Sequence, residues 1–313
     1  MLLSAVAVVG AVEVALRAAD WYPSQHFQPA VSDLYEADAT VGYRLRPSRT
    51  VRHRFPSHLV FPIVSNADGF RNARDFSERD GRFRVLVVGD SFVFGDSVRA
   101  EDRLTEQLER LEPRWRVDNM GMSAWGIDLM VRAVERYAPT IQPEVVVLCA
   151  YTDDFRRVAP SYAGIGYRFA KFELVGSDLT TVLYPAETLG DRLRLVRWFR
   201  GRMGDDPAER NRYELNEALL DRLLRDAADM HFQLAAVFFP GKGDNAEDKA
   251  RRSFLKRWTA RHSVPYEDLT DAIQAAGIDT VYIAGDWHWN PAGHALAAAH
   301  LKTLVAGLPQ VRE

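Results

Sequence analysis

Ser91, Asp286 and His288 are the side chains of this chain whose types and spacing could do chemistry together. Ser91 ends Gly89-Asp90-Ser91, directly after the run Arg84-Val85-Leu86-Val87-Val88 and ahead of Phe92-Val93-Phe94-Gly95. A serine hydroxyl is a weak nucleophile near neutral pH. It needs a base within hydrogen-bond reach, and the base works better with an acid orienting its other ring nitrogen. The segment Asp286-Trp287-His288-Trp289-Asn290-Pro291-Ala292-Gly293-His294 offers base and acid together. Each piece also has a plainer reading: Ser91 as a turn residue satisfying the next amides, His288 as a structural histidine. Asp90 suits a cap on that turn, and His294 and His300 read as packing or helix-surface residues.

To act together, these side chains must be carried to one edge of a fold. An apolar, β-branched run that stops at Gly reads as a buried strand ending in a tight turn. Open α/β sheets bind ligands beyond the carboxyl ends of their parallel strands. Past Val85, strands and helices alternate. Strand candidates are 84–88, 115–119, 144–149, 233–239 and 279–283, with a short segment near 264–268. Helical stretches fall near 101–111, 125–138, 208–231, 246–261 and 291–307, the second ending before Pro139. This alternation predicts an α/β fold with a mainly parallel sheet covered on both faces. Asp286 and His288 then project from a strand-to-helix loop after Thr280-Val281-Tyr282-Ile283, with Pro291 in the first turn of the following helix.

The segment 156–207 interrupts the alternation, and Tyr162, Gly164, Gly166, Tyr167 and Phe169 suggest an irregular insertion or lid. Upstream, 21–81 carries Pro23, Pro29, Pro47, Pro56 and Pro62, the extended run His58-Leu59-Val60-Phe61 and an Asp68-Gly69 turn signal. It predicts a β-containing extension folded against the core that begins near residue 82.

In these blocks the chain resembles the SGNH (GDSL-type) hydrolase superfamily over roughly residues 82–308. Gly89-Asp90-Ser91 looks like the block that carries the nucleophile, and Asn119-Met120-Gly121 like the second block. The final block has the Asp-x-His spacing, Asp286 to His288, of alginate O-acetyltransferase-like branches, where the commoner spacing is Asp-x-x-His. The extension around Asn66 to Arg71 is similar to that of membrane-attached bacterial members. The resemblance implies a flavodoxin-like three-layer α/β/α sandwich and an oxyanion hole made by the amides of Ser91 and Gly121 and a third-block asparagine. Oxyanion donors act on charge that develops only in the transition state, each worth about 10²–10³ in rate.

The third position departs from the family pattern. Thr152-Asp153-Asp154 stands where Gly-Asn-Asp is usual, and an ionised Asp153 would repel an oxyanion. Three resolutions are open: Asp153 kept protonated by burial and by Asp154, Thr152 donating its hydroxyl, or weak activity. The expected activity is a serine esterase acting on a small acyl ester, O-acetyl on a carbohydrate being the substrate implied by the branch. The alternatives are an O-acyltransferase acting on a polysaccharide and a catalytically weak ester- or glycan-binding domain. Trp125, Trp287 and Trp289 either pack or form a flat apolar wall for a sugar or acyl group. No cofactor and no metal are expected.

Composition narrows the classes further. With 313 residues, 47% hydrophobic content and a net charge of −3, the chain is an ordinary folded protein with no electrostatic footprint for nucleic acid. The arginines at 192, 194, 197, 200 and 202 read as a solvated helix face. The single cysteine, Cys149, lies in an apolar run and reads as a buried, inert thiol. Met1 to Val12 is apolar apart from Ser4 and Gly10, and Glu13 and Arg17 are spaced to pair. Residues 1–20 are therefore expected as a membrane anchor or signal-anchor, with a packed helix as the alternative. With an anchor, the catalytic domain is expected in the bacterial cell envelope, outside the cytoplasm.

Overall fold

Every second residue of Val85-Leu86-Val87-Val88 enters a different core, and that alternation sets the architecture. The computed structural model describes residues 2–18, 34–55, 57–158, 170–176, 178–183, 195, 212–243 and 245–309. Five strands, β5 (Phe83–Gly89), β6 (Trp115–Gly121), β7 (Val145–Tyr151), β10 (Gln233–Phe239) and β11 (Tyr266–Asp268), form one sheet in the order β6-β5-β7-β10-β11. All neighbours in it are parallel. In chain order this is 2-1-3-4-5, the flavodoxin-like arrangement.

Side chains alternate across a strand, so Leu86 and Val88 join one buried cluster while Val85 and Val87 join the other. The first cluster is closed by α4 (Ile127–Ile141), α6 (Arg212–Met230) and α7 (Ala246–Arg261), through residues such as Val134, Leu223 and Trp258. The second is closed by α3 (Leu104–Leu111) and α10 (Pro291–Ala306), through Leu108, Leu301 and Val305. Helices on both faces make the three layers. Cys149 lies in the second cluster, and burial pushes its thiol pKa well up.

The extension forms two antiparallel hairpins, β1 (Tyr35–Asp38) with β2 (Gly42–Leu45) and β3 (Thr50–Arg54) with β4 (Val60–Val64). It is built into the core: Tyr43, Phe70 and Phe76 are fully buried in the first cluster, and Phe70 packs edge-on against Trp125 and Tyr137. Asn66 folds the turn before Phe70 by accepting from the amides of Asp68 and Phe70.

The structure departs from the sequence expectations in two elements. Residues 279–283 are no strand. Ile278–Val281 is a short helical turn, α9, after α8 (Thr270–Ala276), and Tyr282 makes an isolated bridge to Trp289. The edge beside β10 is taken by β11, and a four-residue apolar run does not by itself distinguish strand from helix. Helix α4 runs through Pro139 to Ile141, at the loss of the amide that would bond the carbonyl of Glu135, and Gln142 closes it in the left-handed region at φ 52°.

A short helix, α5 (Asp154–Arg157), leads into the segment 156–207, whose described part holds a hairpin of β8 (Ala170–Val175) and β9 (Asp178–Leu183). The lid residues Tyr162 to Phe169 and the arginine cluster lie outside the described residues. At the amino end, α1 (Leu2–Ala18) carries the expected Glu13–Arg17 pair at 2.7 Å. No helix among the described residues is long and apolar enough to cross a membrane, so the anchor expectation gains no support.

Candidate active site

The Ser91 turn is set by β5. Asp90 caps the one-turn helix α2 (Ser91–Phe94) by accepting from the amide of Phe92 at 3.0 Å, and Gly95 ends it in the left-handed region at φ 79°. Gly121, at the end of β6, lies so close that an added Cβ would meet the Phe94 amide nitrogen at 2.1 Å. That close approach lets the turn sit on the sheet edge. The extension locks the next residues, 94–98: the buried Arg71 guanidinium donates to the carbonyls of Phe94, Gly95 and Val98.

Onto this turn the far end of the chain brings its pair. His288 Nε2 lies 2.9 Å from Ser91 Oγ, and His288 Nδ1 lies 2.8 Å from Asp286 Oδ1. With Nδ1–H donated to the carboxylate, the Nε2 lone pair faces the serine hydroxyl. Asp286 is held in turn by Ser97, whose Oγ donates to Oδ2 at 2.9 Å, and Ser57 of the extension donates to Ser97 Oγ at 2.9 Å. Ser97 is at φ 64°, the left-handed region that non-glycine residues rarely occupy. A hydrogen-bonded chain thus runs Ser57–Ser97–Asp286–His288–Ser91. Burial alone would raise the Asp286 pKa, but its bonds from His288 and Ser97 outweigh this and hold it well below the ordinary carboxylate range. Burial lowers the His288 pKa, and Asp286, Asp96 and Asp90 more than reverse it, so the imidazole is raised.

The other side of Ser91 differs from expectation. Burial pushes the Asp153 carboxyl up, yet a bidentate pair with Arg156 at 2.7 and 2.5 Å, with Arg157 and Arg251 nearby, holds it down at about 2. The resolution in which Asp153 is protonated is therefore overturned. It is Asp154 that burial and the charge of Asp90 push well up. Thr152 is not a donor here either, because its hydroxyl is given to Asp248. The Gly121 amide donates to Asn119 Oδ1 at 2.9 Å, so that donor, too, is already engaged. Arg157 joins the parts, with Nη1 donating to Asp90 Oδ2, Asp154 Oδ1 and the Trp125 carbonyl. In the turn before Trp125, Ala124 stands at φ 65°, and its amide has no acceptor among the described residues.

The family model of GDSL-like lipases and acylhydrolases matches residues 87–296. The chain belongs to the GDSL-like lipase/acylhydrolase family. It is an ester-hydrolysing enzyme. No curated protein matches the sequence. Among solved structures it is similar to a lipolytic protein of the G-D-S-L family from Veillonella parvula, with 16% identity, 72% of this chain and 99% of that one covered, and a TM-score of 0.48. It is also similar to the psychrotrophic esterase EstA from Pseudoalteromonas sp., at 10% identity, 71% and 96% coverage and a TM-score of 0.46. The acetylxylan esterase Axe2 from Geobacillus stearothermophilus matches at 15% identity, 76% and 99% coverage and a TM-score of 0.45.

In this GDSL enzyme the tryptophans divide. Trp125 and Trp289 are fully buried, the first against Tyr43 and Phe70, the second against Phe92 and Phe239, so neither offers a substrate wall. Trp287 is 70% exposed beside Lys242 and remains available to a substrate. His294 is buried against Trp289 and held neutral, its pKa lowered to about 3 by burial. His300 contacts Glu267. Among the described residues, no group of three or more His, Cys, Asp or Glu is arranged to hold a metal.

Four residues at the site escape a reading of the sequence: Asp96, Ser97, Ser123 and Arg157. Asp96-Ser97 sits five and six residues past Ser91, in reach of the same turn, and that proximity is the one signal the chain offers. Arg157 pairs locally with Asp153 and Asp154, four and three residues before it, but its reach to Asp90, 67 positions away, carries no signal in the chain.

Proposed function

We propose that this esterase hydrolyses small acyl esters through an acyl-enzyme on Ser91. Ser91 Oγ attacks the ester carbonyl carbon while its proton passes to His288 Nε2. The C–O bond to the alcohol then breaks, and the alcohol leaves with that proton. Water adds to the acyl-enzyme, giving a proton to His288, and the carboxylic acid departs as Ser91 regains its hydrogen. The observation that carries this reading is the continuous arrangement from Asp286 through His288 to Ser91 at 2.8 and 2.9 Å.

Of the oxyanion donors that the family resemblance implies, the amide of Ser91 is the one left, since Gly121, Thr152 and Asp153 are engaged elsewhere. A small acyl group suits a nucleophile that is only 5% exposed, reached past a His288 side chain that is 15% exposed. O-acetyl on a carbohydrate is the first candidate in that class.

The test is hydrolysis of p-nitrophenyl esters of about two to twelve carbons, with Ser91→Ala as control. We expect turnover to be highest on the shortest acyl chains and abolished in the variant. Turnover that survives in Ser91→Ala overturns the reading. Faster acyl transfer to an added sugar hydroxyl than to water would make the enzyme a transferase instead.

A further inference from the structure

Asp96 is a buried carboxylate in contact with the reacting side of His288, and nothing in the mechanism above uses it. Its Oδ2 lies 3.7 Å from His288 Nε2, the nitrogen that faces Ser91. Both of its oxygens lie 3.0 Å from Ser123 Oγ, and Tyr35 of the extension donates to that same oxygen at 3.3 Å. The ordinary explanation for a buried aspartate in a loop is a cap on backbone amides. Among the described residues neither oxygen of Asp96 accepts one: Ser123 is its hydrogen-bond donor and His288 the group it faces.

We propose that Asp96 is a positioning residue that supports the charged form of His288 from the Nε2 side, and that the Asp96–Ser123 pair sets the pH at which the imidazole becomes free to act as base. The inference rests on the triad reading of Ser91 and His288. Asp286 holds only the Nδ1 edge, so the proton that arrives on Nε2 during attack meets Asp96 as its nearest carboxylate beyond the serine. Removed from water, that charge acts with little screening.

The groups around the pair agree in direction. Burial pushes Asp96 up to about 6, opposed by His288, Ser123 and Arg71 and assisted by Asp90. His288 meets Asp286 on its own loop, Asp90 and Ser91 from the nucleophile turn, the Phe92 ring, and the neutral His294 of α10. Ionised Asp96 therefore makes His288 harder to deprotonate and, in the same measure, makes the imidazolium of the transition state easier to form. The two groups titrate as a coupled pair.

The decisive variant is Asp96→Asn, followed by the pH profile of kcat/KM and by an NMR titration of the His288 ring, assigned by its absence in His288→Gln. Loss of the charge should move the acid limb and the ring titration down by about one pH unit, and lower kcat on the plateau by at most about tenfold. A folded Asp96→Asn whose limb and ring titration both stay where the wild type has them overturns the proposal.

Should that variant fail to fold, Ser123→Ala decides. Without its donor the buried Asp96 carboxyl is neutral over a wider range, so the limb should move down by a smaller amount, and no movement overturns the proposal. If the wild type shows no Ser91-dependent turnover, the esterase reading fails, while the His288 titration still reports on Asp96.

Discussion

His288 and Arg157 both reach the Ser91 turn, and both are ringed by carboxylates. Around the imidazole stand Asp286 and Asp96, with Asp90 near; around the guanidinium stand Asp90, Asp154 and Asp153. The outcomes are opposite because the two cations differ. A guanidinium is charged throughout the working range, so its carboxylates become fixed struts that tie β5, the Trp125 turn and α5 together. An imidazole gains and loses its charge near neutrality, so its carboxylates tune reactivity. The same residue type thus builds a rigid flank on one side of the nucleophile and a responsive one on the other. Asp90 belongs to both, accepting from Arg157 at 2.9 Å and lying 3.3 Å from Ser91 Oγ.

The responsive flank is where substitutions should cost most activity. Ser91→Ala or His288→Ala should each lower kcat by about 10⁴-fold or more with little change in KM, read on a short-chain p-nitrophenyl ester. Asp286→Asn should cost about 10³- to 10⁴-fold, since the amide can hold the wrong tautomer of His288. A loss below tenfold there would mean that Asp96, not Asp286, is the dominant carboxylate, reversing the order of that flank.

The rigid flank should answer in stability. Arg157→Ala leaves Asp90 and Asp154 buried without their cation, and about 3–5 kcal/mol should be lost in chemical denaturation. If Arg157→Ala keeps wild-type stability but loses turnover, the guanidinium belongs with the reacting groups and the contrast collapses.

The mildest change should be Asp153→Asn, with kcat within about threefold of wild type, because the carboxylate is engaged by Arg156 and not by the reacting groups. Its folded pKa of about 2 lies below the ordinary value, so its contribution is present above the ordinary carboxylate pKa and lost as pH falls towards 2. The activity profile above about pH 5 should therefore be the same in wild type and variant. A tenfold rise in kcat would place the oxyanion against that carboxylate.

Ser91, Asp286 and His288 are legible in the chain because their chemistry is written in local context: a strand that stops at Gly89, and an acid and base two residues apart. The alternation of strand and helix from Val85 onward is legible for the same reason, since periodicity is a local property. The run 279–283 is not, because a short apolar segment takes whichever conformation the neighbouring elements leave to it, and β11 already occupies the edge. The choice among the three resolutions for Asp153 stays open in the sequence for want of the same context. Burial argues for a neutral acid; Arg156 and Arg157 stand three and four residues on, but only the fold turns them, together with Arg251, towards its carboxylate.

Sequence by itself determined the family, the alternation of strand and helix and the candidacy of Ser91, Asp286 and His288, all of which depend on residues close together in the chain or on their period. Tertiary structure decided how those groups are held: the Arg71 clamp on 94–98, the reach of Ser57 through Ser97 to Asp286, and the approach of Asp96 to His288. Those contacts join residues tens to hundreds of positions apart. Their energies depend on distance and burial, which are properties of the folded chain alone.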